Sequence, residues 1–117
     1  MKLKFIATFI VISSIMYSQS ITTFQAEDGT LSNAKVEAEH SGFSGSGYVN
    51  FDNEVGSSLE WIVPMAESSS DTLVFTFANG GTANRYMELE INDSLAIQKV
   101  DFNPTSAWTN WNETTVV

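Results

Sequence analysis

Apolar and polar residues alternate in three segments of the chain. The apolar positions are Leu59, Trp61 and Val63, then Leu73, Phe75 and Phe77, then Met87, Leu89 and Ile91. A two-residue period is typical of a β-strand with one buried face, and no segment shows the helical period of about 3.6 residues. Shorter stretches of the same kind predict further strands over residues 22–27, 35–39, 48–51, 95–102 and 108–117.

Turn-forming residues separate these predicted strands. They are Asp28-Gly29, the glycine-rich stretch 41–47 (SGFSGSG), the stretch 79–82 (NGGT), Asn92-Asp93 and Asn103-Pro104. Glycine, proline, asparagine and aspartate favour turns for steric and hydrogen-bonding reasons. Short strands joined by such turns predict an all-β fold, either an antiparallel sandwich or a barrel.

The composition limits the chemistry that this fold can carry. The chain has 117 residues, which suits one domain, and its 14 acidic and 5 basic residues give a formal net charge of −9. This acidity argues against nucleic acid and anionic membranes as partners, because both attract basic surfaces. The absence of cysteine excludes disulfides and thiolate metal sites, and the single histidine, His40, excludes a histidine-rich metal centre.

Residues 1–20 have the pattern of a secretory signal peptide. Lys2 and Lys4 form a basic start, residues 5–16 (FIATFIVISSIM) are apolar but too short to span a bilayer comfortably, and small residues follow. We expect cleavage after Ser18 or Ser20, which leaves residues 21–117 as the domain; an uncleaved anchor is the alternative. A protein secreted to the extracellular space or the periplasm without disulfides must rely on its core, with a bound cation as a supplement.

Six short motifs, taken in order, resemble a known family. They are 24–28 (FQAED), 41–51 (SGFSGSGYVNF), 60–61 (EW), 77–80 (FANG), 84–85 (NR) and 107–111 (AWTNW). Together they resemble the carbohydrate-binding modules of family 35, and those of the related family 6, over residues 24–117. The resemblance implies a jelly-roll β-sandwich of the galactose-binding-like type. It also implies non-catalytic binding of a plant or microbial polysaccharide, with the module appended to a secreted glycoside hydrolase.

The chain departs from this family at its C-terminus. Similar modules continue for one or two more strands, and that part carries an Asn-x-Asp stretch whose Asn can bind sugar and whose Asp ligates a structural calcium. This chain stops at residues 114–117 (TTVV), within a predicted strand. We therefore expect a truncated module with unpaired sheet edges, which favour aggregation.

Candidate sugar-binding residues lie where loops meet strands. Aromatic rings cover the apolar faces of sugars, and amides or charged groups hold the hydroxyl and carboxylate groups. The resemblance assigns the aromatic contacts to Trp108 and Tyr48, and a lectin-like module would expose both rings at one end of the sandwich. The alternatives are ordinary packing for Trp108 and a strand position with a satisfied hydroxyl for Tyr48. Asn79 can bind a hydroxyl group and Arg85 a uronic carboxylate, or the two are simply a loop amide and a surface charge.

Oxygen-bearing residues form the candidate metal sites that the resemblance implies. Gln25 and Glu27, two apart on one strand face, suit the oxygen ligands of calcium, although the site is incomplete without the C-terminal aspartate. Magnesium fits less well, because it takes fewer protein ligands. Asp52 and Asn53 follow the 48–51 strand and form either a second calcium site with a sugar-binding rim or a solvated turn.

Other prominent side chains are predicted to be structural. Trp111 follows Trp108 by three residues, so in one continuous strand it faces the opposite side, and Trp61 lies in an inward alternation. His40, beside the glycine-rich stretch, is predicted to be a polar surface residue.

Nothing in the sequence indicates an enzyme. The carboxylate pairs Glu37/Glu39 and Glu88/Glu90 lie about 6–7 Å apart along a strand, which overlaps the spacing in glycosidases. Solvent-facing positions of amphipathic strands account for both pairs, and no nucleophile, phosphate-loop or zinc motif accompanies them. The main alternative to sugar binding is a secreted structural or adhesion β-sandwich with a protein partner.

Overall fold

Two antiparallel β-sheets pack face to face in the computed structural model, which describes residues 2–7, 11–17, 22–51, 55–64 and 72–116. The strands are β1 (Lys2–Ala7), β2 (Val11–Tyr17), β3 (Thr22–Gln25), β4 (Thr30–Ser32), β5 (Ala34–Glu37), β6 (Tyr48–Phe51), β7 (Ser57–Ile62), β8 (Leu73–Ala78), β9 (Met87–Ile91), β10 (Ser94–Val100) and β11 (Asn112–Val116). A single 3-10 turn, Ala26–Asp28, follows β3. The predicted all-β sandwich is confirmed.

The strand order shows how the chain crosses between the sheets. The five-stranded sheet has the order β10-β9-β1-β7-β4, and the six-stranded sheet has the order β11-β8-β2-β6-β5 with β3 also paired to β2. All these pairs are antiparallel. Within the described ranges, no helix is long and apolar enough to cross a membrane.

The main core lies between the sheets and contains the alternating apolar residues that the sequence predicts. Leu59, Trp61 and Val63 are buried in it, as are Phe75 and Leu89. The Trp61 indole N–H donates a hydrogen bond of 2.9 Å to the Gln25 carbonyl, which joins β7 of one sheet to β3 of the other. Each large apolar side chain buried here contributes about 1.5–3 kcal/mol to folding.

Four predicted strands are shorter in the structure, and two of them are cut short by turns. The strand predicted over 22–27 ends at Gln25, because residues 26–28 turn and the Gly29 N–H bonds to the Ala26 carbonyl at 3.1 Å. The strand predicted from residue 108 begins at Asn112 instead. Residues 106–110 form a turn in which the Asn110 N–H donates to the Ala107 carbonyl at 3.1 Å. Sequence alternation alone did not reveal either turn.

The segment predicted to be a signal peptide contributes β1 and β2 to the sandwich. Leu3 and Ile12 are fully buried in the main core. Lys2 and Lys4 alternate with apolar residues, so the same residues fit both the basic start of a signal peptide and an amphipathic strand. Cleavage after residue 18 or 20 stays a prediction, and both of those residues lie outside the described ranges.

Candidate functional site

A second, smaller apolar cluster lies on the outer face of the six-stranded sheet. This outer aromatic cluster consists of the buried Tyr48 and Ala78, with Phe43, Trp108 and Trp111 packed against them. Val49 and Phe77 belong to the main core. Adjacent residues of a strand point to opposite faces, so their neighbours Tyr48 and Ala78 point outward. The loops 38–47 and 101–111 cover this part of the sheet and leave the cluster half-enclosed.

Tyr48 is the centre of the cluster and is completely buried, with 0% of its surface exposed. Its ring centroid lies 5.6 Å from that of Phe43 and 5.5 Å from that of Trp111. Its hydroxyl accepts a bond of 3.3 Å from the His40 backbone N–H and donates one of 3.4 Å to Glu37 Oε2. The prediction that Tyr48 is exposed is therefore wrong, because loop 38–47 folds over its ring.

The Glu37 carboxylate accepts the hydrogen bond from the Tyr48 hydroxyl. Burial raises the pKa of Glu37, but hydrogen bonds from Asn50 and Lys35 outweigh burial and hold that pKa below its usual value of 4.5. The Asn50 amide donates at 3.1 Å to the same oxygen that Tyr48 reaches. Burial in turn raises the pKa of Tyr48 above 10.0, so its hydroxyl stays protonated at neutral pH.

Trp108, which like Phe43 and Trp111 is half-exposed, stands in the 106–110 turn. Ser106 adopts a left-handed backbone with φ of 72°, and its hydroxyl accepts a 2.8 Å bond from the Asn110 amide. The indole lies flat on Gly80, where a Cβ would come within 2.5 Å of Trp108 Cδ1. Only glycine leaves room for the ring at this distance.

His40 and Arg85 flank the Trp108 ring. The His40 imidazole stacks on Trp108 with centroids 6.2 Å apart at 24°, and on Tyr48 at 5.9 Å and 22°. Sequence reasoning placed His40 on the polar surface; its position next to the glycine-rich stretch is the signal that could have linked it to the site. The Arg85 guanidinium carbon lies 5.8 Å from the Trp108 centroid, which is cation–π distance. Burial lowers the pKa of Arg85 from 12.5, and the group remains charged at neutral pH.

Asn79 holds the loops around Trp108 together and has 0% exposure. Its amide N–H₂ donates to the carbonyls of Ala83 at 2.9 Å and Phe102 at 2.8 Å, and its side-chain oxygen accepts from the Gly81 N–H at 3.0 Å. Both donors are therefore used inside the protein. The contact between Asn79 and a sugar hydroxyl stays a prediction; the hydrogen bonds fit the alternative of a loop amide that joins loop 79–86 to loop 101–111.

Trp111 is structural, as predicted, but for a different reason from its spacing. Its indole N–H donates at 2.8 Å to the Ser41 carbonyl, and its ring lies on Gly42, where a Cβ would be 2.6 Å from Trp111 Cδ1. Gly42 has a φ of +103°, a conformation that L side chains rarely adopt. Trp108 and Trp111 therefore join one cluster instead of facing opposite sides of a strand.

Gln25 and Glu27 converge with loop 38–47 on a separate oxygen-rich spot. Glu27 Oε1 accepts from the Ser46 N–H at 2.8 Å, and Gln25 Oε1 accepts from the Ser44 hydroxyl at 3.1 Å. Gly45 has a φ of +72°, and a Cβ at this position would collide with Glu27 Oε1. The Glu27 carboxylate therefore packs directly against the backbone of Gly45. Glu27 Oε2 is buried and accepts no hydrogen bond from any residue that the structure describes.

The other predicted metal and rim residues cannot be placed. Asp52 and Asn53 lie outside the described residues. Among the residues that are described, no group of three or more acidic, histidine or cysteine side chains is arranged to hold a metal ion. An ion at Glu27 would therefore need amide, backbone or water oxygens to complete its shell.

Comparison with known proteins gives three close relatives. A solved family 35 carbohydrate-binding module from Clostridium thermocellum matches with a TM-score of 0.77 and 45% identity, over 80% of this chain and 72% of that one. Exo-beta-D-glucosaminidase of Amycolatopsis orientalis is 39% identical over 93 residues, and endo-1,4-beta-xylanase B of Cellvibrio japonicus is 36% identical over 103 residues. These two matches cover 80% and 87% of this chain but only 9% and 16% of the enzymes. No family model matches the chain.

The similarity in sequence and the similarity in structure agree. The solved module shares the sandwich fold over most of both chains, and the two enzymes are matched only over small regions of their lengths. The resemblance seen in the sequence motifs is thereby confirmed. This chain belongs to family 35 of the carbohydrate-binding modules, which are non-catalytic sugar-binding domains.

Proposed function

We propose that the module binds its sugar on the exposed surface of Trp108, with Arg85 holding an acidic group of the sugar. The observation that carries this is the geometry at the outer aromatic cluster. Trp108 is partly exposed, lies flat on Gly80 and has the Arg85 guanidinium carbon 5.8 Å from its centroid. A fixed aromatic face next to a planar cation suits the apolar face and the carboxylate of a uronic sugar.

The charge of the protein makes Arg85 important for such a ligand. The chain has a formal net charge of −9, so a polyuronate approaches against a repulsive field. Arg85 is one of 5 basic residues and is partly buried, which reduces the screening of its charge by water. Neutral sugars avoid this repulsion, so a comparison of acidic and neutral sugars measures what Arg85 contributes.

The remaining residues of the cluster support the contact surface without offering polar groups to the ligand. Tyr48 and Asn79 are completely buried, and their polar atoms bond within the protein. The burial of Tyr48 removes one of the two exposed rings expected of a lectin-like module. Trp108 keeps the other, and the family membership favours sugar binding over an adhesion role.

We further propose that calcium binds at Glu27 and Gln25 and stabilises loop 38–47. The support is the buried Glu27 Oε2, which accepts no hydrogen bond within the described ranges, together with the neighbouring Gln25 amide oxygen. A carboxylate and an amide oxygen are hard ligands of the kind that calcium prefers. Calcium would neutralise the carboxylate and cross-link β3 to the loop that covers Tyr48. Thermal unfolding with calcium and with chelator tests this: the unaltered protein should melt higher with calcium, and Glu27→Gln should remove most of the difference.

Attachment to a catalytic domain and export from the cell complete the proposal. The matched relatives are named as an exo-beta-D-glucosaminidase and a xylanase, and this chain spans under a fifth of each. A sugar-binding module in a larger secreted protein would hold a glycoside hydrolase close to its polysaccharide, which raises the effective substrate concentration.

The decisive experiment replaces Trp108 and a matched exposed aromatic residue. Migration in native gels containing xylan, mannan, galactan or pectin reports binding. We expect Trp108→Ala to weaken binding to the retarding polysaccharide at least tenfold, since stacking and the lost apolar contact area both contribute. Tyr86, which is 57% exposed and directly precedes β9 of the other sheet, is the control, and Tyr86→Ala should bind as the unaltered protein does. Equal retention of both variants would refute the assignment.

A further inference from the structure

Each sheet takes one of its internal strands from the first 17 residues of the chain. β1 lies between β7 and β9 in the five-stranded sheet, and β2 lies between β8 and β6 in the other. Leu3 of β1 and Ile12 of β2 are fully buried in the main core. The residues with the pattern of an export signal are thus the same residues that complete the sandwich.

Without β1, the five-stranded sheet would have a groove one strand wide between β7 and β9. β1 pairs with β7 over residues 2–7 and with β9 over residues 3–6, antiparallel on both sides. In the described part of the chain, β1 alone connects β7 with β9. Strands lie about 4.8 Å apart in a sheet, so both walls of the groove present backbone N–H and C=O groups that need a strand between them.

The walls of this groove also have a charge pattern. Lys4 is in register with Glu60 on β7 and with Glu90 on β9. Lys2 Nζ lies 3.3 Å from Glu60 Oε2 and 2.9 Å from Asp93 Oδ1. The hydrogen bond from Lys2 holds the pKa of Asp93 below 3.8. The groove is therefore acidic on its outer side and apolar on its inner side, where Leu3 is buried.

We propose that the groove between β7 and β9, which Lys2–Ala7 occupies in this structure, is an acceptor site that selects an extended strand with basic residues outward and apolar residues inward. Backbone pairing on both sides supplies the binding, and the Lys–Glu pairs select the register. Lys2 and Lys4 are two of the 5 basic residues in the chain, and both lie in this one strand. Removal of the segment after Ser18 or Ser20 would empty the groove, so export processing and completion of the sheet compete for the same residues.

Engineered disulfides test the register in the full chain, which contains no cysteine of its own. Lys4→Cys combined with Glu90→Cys, and Lys4→Cys combined with Glu60→Cys, place thiols on directly opposed residues. The control is Lys4→Cys with Glu88→Cys, because Glu88 opposes residue 6 and lies out of register with residue 4. Diagonal pairs are about 7–8 Å apart, beyond comfortable disulfide geometry. We expect mild oxidation to cross-link the two in-register pairs and not the control. Absence of both cross-links, or equal cross-linking of the control, would overturn the proposal.

Charge reversal tests the selectivity of the groove in the same full chain. Lys4→Glu puts a third carboxylate between Glu60 and Glu90, and we expect the melting temperature to fall by about 5 °C. Lys99→Glu makes the same change in net charge on the exposed side of β10 and should lower it much less. Lys4→Arg keeps the positive charge and should have the melting temperature of the unaltered protein. Equal shifts for Lys4→Glu and Lys99→Glu would show that the groove does not select a basic strand.

Discussion

Gly80→Ala should displace the Trp108 ring without straining the backbone. A Cβ at position 80 would lie 2.5 Å from Trp108 Cδ1 and 2.6 Å from Cγ, whereas carbon atoms in contact are at best about 3.5–4.0 Å apart. The indole must therefore move by about 1 Å. The backbone of Gly80 is outside the left-handed region, so alanine fits its conformation.

Gly80→Ala should weaken sugar binding more than it lowers the stability of the fold. Trp108 is partly exposed, so its ring can swing outward, which limits the overpacking penalty to the low end of about 1–3 kcal/mol. Alanine lowers the conformational entropy of the unfolded chain, which stabilises the fold by about 0.4–1 kcal/mol. This gain offsets most of the overpacking penalty, so the free energy of unfolding should change by less than about 1 kcal/mol. Misalignment of an aromatic stack costs about 0.5–1.5 kcal/mol of binding, or roughly two- to tenfold in affinity.

Gly81→Ala is the matched control, because a Cβ there would meet Arg85 and the Asn79 side-chain oxygen instead of Trp108. A Cβ at position 81 would lie 2.9 Å from Arg85 Nη2 and 3.2 Å from Nε. Calorimetry with a uronic acid and with the neutral sugar of the same ring separates the two variants. We expect Gly80→Ala to weaken both ligands and Gly81→Ala to weaken mainly the uronic acid. If Gly80→Ala binds both sugars as tightly as the unaltered protein does, the Trp108 face is not the sugar contact.

Three further substitutions test the supports of the site. Asn79→Ala removes the donor to the Ala83 carbonyl and the acceptor of the Gly81 N–H, while the Phe102 carbonyl keeps its bond from the Arg85 N–H; it should cost about 2–5 kcal/mol in urea unfolding, and a loss under about 1 kcal/mol would contradict its role. The lowered pKa of Glu37 stabilises the fold above pH 4.5 and less as the pH falls below that value, so Glu37→Gln should be less stable at neutral pH and converge with the unaltered protein in acid. A constant difference across that range would exclude this cause. His40→Ala removes the ring stacked beside Trp108 and should make tryptophan fluorescence easier to quench and sugar binding about two- to tenfold weaker; unchanged quenching would mean that His40 does not hold the indole in place.

The sheets could be predicted from the sequence because apolar and polar residues alternate along a strand that has one buried face. Leu59, Trp61 and Phe75 are inward in the pattern and buried in the structure. The strand β4 escaped prediction because three residues of Thr30–Ser32 are too few to show a period. The strand role of Lys2–Ala7 was missed for another reason: basic residues before an apolar run have the same pattern in an export signal and in an amphipathic strand.

The site was harder to predict, because alternation gives the face of a residue and not what covers that face. Tyr48 does point away from the main core, as a ligand contact would, but loop 38–47 encloses its ring completely. The spacing of Trp108 and Trp111 implied opposite faces only while both were taken to lie in one strand. His40 stacks on Trp108 through a fold of the loop that no local pattern records.

The separation between the main core and the outer aromatic cluster affects how the protein opens. The cluster lies between the outer face of the six-stranded sheet and loops 38–47 and 101–111, and it is separate from the main core. Regions with their own small core open locally at a lower free energy than global unfolding. Amide hydrogens in those loops should therefore exchange faster than those of β8 and β9, and bound sugar should slow only the loop amides. For the same reason, the loops can acquire a new ligand preference by substitution while the sandwich keeps its stability.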